Sequence, residues 1–309
     1  MNCPICYSIN LKRAEKYNNY NLYHCRDCEV RFWWPLRYPG KDFYESSYMF
    51  DIIEKRKTSW YHKQFLKKPP IEKGILLDIG CGQGEFLGAT LKKGGFNLWG
   101  LDISKKNIDF IKKTYKIDKV FNETLDSFCE KKDIPQFDAV TLFEVIEHLA
   151  NPKEVIENIK KIIKPGGSLI LSMPNRDRLG GTKEDWDYPP NHLFQWNKKS
   201  ISSFLISHGF EISNIIEQPF SKDFFFIRGT LSLGIMKYFR KKAGIVSPKK
   251  GGEAVSNIIN NKSLLFYIMK FFAVIKNLIL SPFLSIFSFF LRILGFKYWS
   301  MYVEAKVKT

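Results

Sequence analysis

The stretch Leu77-Asp78-Ile79-Gly80-Cys81-Gly82-Gln83-Gly84 decides the fold. Residues 74–79 form an apolar run of strand length. Three glycines make a turn, and residues 85–93 continue with helical spacing. A strand that enters a helix through a glycine turn is the opening unit of a nucleotide-binding α/β sheet. Glycine lets the backbone pass close to a ligand, because no Cβ stands in the way. The spacing here is GxGxG, whereas a dinucleotide turn is GxGxxG, and Asp78 stands just before it. A carboxylate at that point repels phosphate and suits a ligand with a cationic amine.

Outward from this turn, strand and helix patterns alternate. Residues 96–101 are strand-like and end in Asp102, where nucleotide-binding sheets place an acid on the ribose hydroxyls. Ser104 is positioned to cap a helix that runs to about residue 115. Strand patterns follow at 119–121 and 137–142. A helix spans 151–163 and is stopped by Pro165-Gly166-Gly167. Strand 168–173, helix 200–208 and strand 210–216 complete the series. This alternation predicts a parallel, doubly wound sheet.

Three stretches in order carry a family resemblance. They are residues 77–84, then Gly100-Leu101-Asp102-Ile103-Ser104, then Phe143-Glu144-Val145-Ile146-Glu147-His148-Leu149. Together they resemble class I S-adenosylmethionine (SAM)-dependent methyltransferases of the ubiquinone type, over residues 74–217. The resemblance implies a Rossmann-like, seven-stranded, mostly parallel sheet with an antiparallel last strand. It also implies SAM as cofactor. Gly80, Cys81, Gly82 and Gly84 would hold its methionine part, with Asp78 near the amino group. Asp102 and Ile103 would meet the ribose, Thr124 and Leu125 would lie along the adenine, and Phe143, Glu144 and His148 would flank the ligand. The family's last strand corresponds to residues 298–309, so residues 218–297 are an insert before it.

Motifs locate a methyl donor better than a methyl acceptor, since the sulfonium is already activated and the protein mainly aligns the partners. Glu144, Glu147 and His148 share a face if they are helical, and could hold Mg²⁺. A motif role, capping and packing around the cofactor, is the expectation for them, because three residues of one helix rarely complete a hard-ion shell. Residues 175–196 form an aromatic loop at a strand's carboxyl end, where such sheets build their sites. His192 is the first candidate general base and Tyr188 the second. Tyr44 and Tyr48 are candidates for closing the pocket from the N-terminal side.

The first 38 residues are expected to form a unit of their own. Cys3-Pro-Ile-Cys6 and Cys25-Arg-Asp-Cys28 are two CxxC pairs with 18 residues between them. That is the spacing of a zinc ribbon, in which Cys3, Cys6, Cys25 and Cys28 close a tetrahedron around structural Zn²⁺. A closed four-thiolate site leaves no open position for catalysis, so a structural staple is expected. His24 is surplus to it. Residues 39–73 are expected to form a helical linker or cap.

The chain has 309 residues, 45% apolar and 26% charged, which excludes a disordered or fibrous protein. Six cysteines are too few for a disulfide scaffold of this size. Residues 1–10 lack a basic start followed by an apolar run, so a cytoplasmic location is expected. Net charge is 48 minus 31, or +17. Residues 218–297 hold 13 Lys/Arg and 2 acids, or +11. These charges punctuate long runs of Phe, Leu and Ile, which disfavours nucleic acid. The apolar runs are short for a bilayer span. They predict a basic, apolar, helical insert lying on an anionic membrane surface, peripheral or monotopic on the cytoplasmic face. A helical cap or dimer interface is the other expectation for it. The acceptor expected first is a saccharide, glycan or lipid-linked cell-envelope precursor. A quinone-type lipid precursor is the alternative, and a silent SAM-fold membrane scaffold is a third.

Overall fold

A computed structural model describes residues 1–40, 43, 58–221 and 281–308. The chain divides into two compact units. One comprises Met1–Glu45, Ile53–Gln218 and Trp299–Thr309, and the other Ser46–Ile52 and Pro219–Tyr298.

In the first unit, strands β1 (Leu11–Tyr17), β2 (Tyr20–Cys25) and β3 (Arg31–Trp34) form an antiparallel meander. Helix α1 (Trp60–Lys67) follows. The alternating core is β4 (Gly74–Ile79), α2 (Glu85–Lys93), β5 (Phe96–Leu101), α3 (Lys105–Tyr115), β6 (Val120–Phe121), α4 (Leu125–Cys129), β7 (Phe137–Phe143), α5 (Pro152–Ile162), β8 (Ile163–Pro174), β9 (Phe194–Gln195), α6 (Lys198–Ser207), β10 (Phe210–Pro219) and β11 (Lys297–Val307). The main sheet has seven strands in the order β10-β11-β8-β7-β4-β5-β6. β4, β5, β6, β7 and β8 are parallel, and β11 runs antiparallel to β8. β4 and β7 lie at the centre and are almost wholly buried, as near-continuous apolar runs covered on both faces should be.

Register places the site. Ile79 pairs with Leu101 on one side and with Leu142 on the other, and Phe143 pairs with Ser172. The glycine turn, Asp102, Glu144 and the loop after β8 therefore leave the sheet at one edge. That edge is the carboxyl end of the strands, where open α/β sheets bind ligands.

Two elements differ from expectation. Pro165-Gly166-Gly167 does not separate helix from strand, because β8 already begins at Ile163. The Phe137↔Ile163 pair is followed by a register shift before Ala139↔Ser168, so the Pro-Gly-Gly run is absorbed as an irregularity at the strand's start. The N-terminal meander is also not a unit of its own. β3 pairs with β9, from the loop after β8, so four strands form the sheet β1-β2-β3-β9. Cys3, Ile5 and Phe32 share one apolar cluster with Phe194, Trp196, Leu171 and Met301. A unit of about forty residues cannot bury enough surface alone and here borrows the larger core.

In the second unit the described residues include a helix at 281–293. Most of the insert expected at 218–297 lies outside the described residues, as do Tyr44 and Tyr48.

Candidate active site

The glycine-turn end of the candidate site is built on backbone. Gly80 and Cys81 donate their N–H groups to the Leu101 carbonyl at 2.8 and 3.0 Å, which fastens the turn to β5. Gly80, Gly82 and Gly84 have φ of +70°, +53° and +77°. A Cβ on Gly80 would lie 2.6 Å from Val145 Cγ2, and one on Gly84 2.7 Å from Ile111 Cγ1. Those two glycines are required by packing. A Cβ on Gly82 would meet nothing within 4 Å. Gly82 is bare toward open space, which fits a ligand seated against its backbone.

Asp78 is 3% exposed and accepts a hydrogen bond from Thr141 Oγ1 at 2.7 Å. Burial pushes its carboxyl up to about 8, with Asp102 and Glu85 adding like charge and the Thr141 bond opposing. Asp102 accepts from the N–H groups of Gly82 and Ser104, both at 2.8 Å, and from Asn107 Nδ2 at 3.1 Å. One carboxylate thereby ties the glycine turn to the start of α3. The hydroxyl of Ser104 makes no cap, and Asp102 takes its N–H instead. Phe143 is framed by Tyr61, His62 and Phe86, with ring centroids 5.5, 4.9 and 4.7 Å away. Burial holds the His62 imidazole down at about 3. Ile103 is half-buried, Thr124 caps α4 by accepting from the N–H of Ser127, and Leu125 is buried behind it.

Residues 144–148 differ from the expected helical cluster. Glu144 has φ +56°, and only a 3₁₀ turn, Ile146–His148, follows. Glu144 therefore does not share a face with Glu147 and His148. Its Oε1 accepts from Ser172 Oγ at 2.9 Å, and burial pushes its carboxyl up to about 7. Glu147 is 1% exposed, with both carboxylate oxygens buried and without hydrogen-bond partners. His148 turns Nδ1 to the Asn191 carbonyl at 2.7 Å, and its Nε2 lies 3.8 Å from Glu147 Oε1. The rings of His148 and His192 stand edge to face, 4.7 Å apart. His192 Nδ1 faces Asp187 Oδ1 at 3.6 Å. Asp187 is held by Arg178 Nη2 at 2.5 Å and by the Glu184 N–H at 2.9 Å. Burial lowers both imidazoles, His148 to about 3, so both stay neutral near pH 7.

Tyr188 is drawn to the N-terminal meander. Its hydroxyl donates to Glu15 Oε1 at 3.1 Å, and its ring packs on Tyr17 and Trp33 at 4.5 and 5.7 Å. The Trp33 N–H donates to the Leu193 carbonyl at 2.9 Å. The meander thus clamps the loop that carries Asp187 and His192.

The four N-terminal sulfurs lie within 4.8 Å of one another, with Cys3–Cys28 at 3.6 Å and Cys6–Cys25 at 3.5 Å. A tetrahedral zinc with bonds of about 2.3 Å places its sulfurs about 3.8 Å apart, so the residues fit the ion. His24 stands outside and pairs with Glu29 at 3.2 Å.

The family described as "Methyltransferase domain" matches residues 50–214, more than half of the chain. The chain belongs to that family. Among curated relatives, the mitochondrial ubiquinone biosynthesis O-methyltransferase of Dictyostelium discoideum is 29% identical over 180 residues, covering 50% of this chain and 56% of the relative. The ubiquinone biosynthesis O-methyltransferase of Coxiella burnetii is 36% identical over 105 residues, covering 33% and 44%. The chain spans about half the length of the curated relatives it matches. A solved SAM-dependent methyltransferase from Archaeoglobus fulgidus shares the fold, with a TM-score of 0.50 at 20% identity over 84% of this chain and all of that one.

Within this methyltransferase domain the strand ends collect Asp78, the three glycines, Asp102, Ile103 and Phe143 around the glycine turn. His148 and His192 gather at a second cluster, and Tyr188 belongs to the clamp. Sequence reasoning missed Thr141, Asn107, Arg178 and Asp187. Thr141 sits inside an apolar strand, where a lone hydroxyl beside a buried acid was the available signal. Arg178 and Asp187 lie in a loop without periodicity.

A glycine comparison separates fold from binding. Gly82→Ala should cost about 1–2 kcal/mol of stability for its left-handed backbone. Its SAM affinity should fall at least about tenfold, because the methyl group enters the space beside the ligand. Gly80→Ala should lose more stability, since Val145 blocks it. Calorimetry with SAM titration of the two variants checks this. Unchanged SAM affinity in Gly82→Ala would place the ligand elsewhere.

Proposed function

We propose that the protein transfers a methyl group from SAM to a hydroxyl of a lipid-soluble, quinone-type precursor at a membrane surface. The observation that carries the donor half is the glycine turn, with Gly82 open to space and flanked by the buried Asp78 and the half-buried Asp102. Asp78 would hold the cofactor's ammonium and Asp102 its ribose, with Thr124 and Leu125 toward the adenine. SAM supplies an activated methyl group. The acceptor oxygen attacks the methyl carbon, the C–S bond breaks as the C–O bond forms, and the acceptor's proton leaves. The chain's own part is to align the partners and exclude water.

The acceptor half departs from the saccharide expected first. The relatives carry the name ubiquinone biosynthesis O-methyltransferase, which supports the lipid alternative. The helix at 281–293 supports it as well. Phe283, Ile286, Phe289, Phe290 and Ile293 are each 55–69% exposed there. Apolar side chains exposed around a helix, in a strongly basic chain, suit the headgroup–acyl boundary of an anionic leaflet. No helix among the described residues is long and apolar enough to cross a membrane. Of the two candidate bases we keep His192, which lies beside His148, since Tyr188 donates to Glu15 and packs on Tyr17 in the clamp. Zn²⁺ in the four-cysteine site would be structural.

Label transfer tests the proposal. Purified protein is incubated with methyl-labelled SAM and host membranes plus cytosol, with Asp78→Asn as control. Label should accumulate in the organic phase and be absent in the control. Label confined to the aqueous phase would overturn the lipid acceptor, and no transfer above the control would overturn the activity.

A further inference from the structure

The carboxyl edge of the sheet also carries an aromatic surface. Trp186 stands on the 3₁₀ turn Asp185–Asp187, in the loop after β8, and its indole is 42% exposed. Trp299 lies near the start of β11. The two ring centroids are 5.5 Å apart, with planes inclined at 49°. The Arg178 guanidinium, itself 4% exposed, covers the Trp299 ring with Cζ 4.6 Å from the centroid. A cation against an indole face holds the ring by cation–π attraction. The turn under Trp186 is tied down as well. Its carbonyl accepts from Asn191 Nδ2 at 2.8 Å. Asp187 donates its N–H to the Glu184 carbonyl and accepts from the Glu184 N–H, both at 2.9 Å. Arg178 Nη2 then holds Asp187. An indole left exposed on such a turn is pre-organised, so little freedom is lost when a ligand covers it.

We infer that Trp186, backed by Trp299 and Arg178, is the stacking platform for a planar aromatic ring of the acceptor, of the dihydroxyphenyl class. The inference rests on the methyl-transfer reading and narrows its acceptor. Topology puts the platform on the side left to that acceptor. The sheet order β11-β8-β7-β4-β5 sets the strand of Trp299 and the strand that leads to Asp102 on opposite sides of the glycine turn. Ser300 pairs with Pro174, and Ser172 with Phe143, so the platform and the turn share one edge. With strands about 4.8 Å apart, β11 stands three spacings, roughly 14 Å, from β4. The chemistry of the surface selects the ring. Arg178 and Asp187 are bonded to each other and Asn191 to the turn, so the loop's polar groups serve the loop. What remains outward is an indole face. A saccharide needs several directed hydrogen bonds to its hydroxyls, whereas a phenol ring needs a face for offset stacking.

Ligand-observed NMR titration of the full chain with catechol tests the platform, with and without S-adenosylhomocysteine. Wild type should bind catechol more tightly than methyl glucoside. Trp186→Ala should lose at least about fivefold in catechol affinity, the size of one ring-stacking contact. Trp186→Phe keeps a ring and should stay within about twofold of wild type. Trp34→Ala removes another exposed indole and should leave catechol binding unchanged. Equal catechol affinity in wild type and Trp186→Ala would overturn the platform, as would tighter binding of methyl glucoside. Loss of anionic-vesicle binding in Trp186→Ala with catechol affinity intact would also overturn it, and would put the indole at a membrane surface. Label transfer keeps the two readings apart. A Trp186-dependent catechol site in a chain that moves no methyl group upholds the platform and sinks the activity, whereas transfer to catechol that ignores Trp186 sinks the platform alone.

Discussion

Asp78→Asn should abolish SAM binding while leaving the fold as stable as before or more so. The wild-type carboxyl is fully buried, bonded to Thr141, and pushed up to about 8 by desolvation. Asparagine keeps an oxygen to accept from Thr141 and removes the cost of a buried charge, so the melting temperature should hold or rise. Binding should respond in the other direction. Breaking a buried charge pair costs about 3–5 kcal/mol, which is roughly two to three and a half orders of magnitude in SAM affinity. The pH dependence carries the same signature. Below about 8 the free protein holds Asp78 neutral, and the cofactor's ammonium requires it ionised. SAM affinity should therefore weaken as pH falls from above 8 toward 6, by up to about tenfold per unit. The Asn variant should be flat over that range. Calorimetric titration across pH checks both. A wild-type affinity independent of pH would mean that Asp78 does not meet the amine.

Cys25→Ser should disable methyl transfer without touching the donor site. Structural zinc contributes about 10–16 kcal/mol in zinc-finger peptides, so a ribbon without it should not hold its turns. The loss reaches the loop after β8, the proposed acceptor loop, through the β3–β9 pairing and the Tyr188 contacts with Tyr17, Trp33 and Glu15. Amide hydrogen exchange in residues 31–34 and 193–196 should accelerate by several orders of magnitude, toward the rate of local unfolding. Turnover should fall by more than about tenfold, as loss of acceptor alignment demands. SAM affinity should change less than about twofold, because the glycine turn and Asp102 are fastened to β4, β5 and α3. Slow exchange and full turnover in the variant would show that the clamp stands without metal.

Much of this was legible in the residues. The glycine turn, Asp102 and the apolar strands are local signals, and each produced the element expected. The four cysteines were legible by spacing alone. What escaped depends on contacts between distant segments. β9 is two residues long and has no periodicity of its own, so its pairing with β3 leaves no trace in sequence. Glu144, Glu147 and His148 have helical spacing, but a left-handed residue at Glu144 and a 3₁₀ turn over Ile146–His148 replace the α-helix that spacing assumed. Arg178 and Asp187 are loop residues, and only burial reveals them as a pair.

The pairing of β3 with β9 has a consequence for the order of events at the ribosome. Arg31 and its partner Gln195 are 164 positions apart, from 195 minus 31. At translation rates of roughly 5–20 residues per second, on the order of ten to thirty seconds separate their synthesis. During that interval the nascent meander has its cysteines ready for metal but an uncovered β3 edge, with Phe32 and Trp33 lacking the neighbours that later bury them. Capture of the ion early in synthesis would hold the three strands in shape until the fourth emerges. On the structural-zinc proposal, metal supply during translation would set the yield of folded chains as well as the integrity of finished ones.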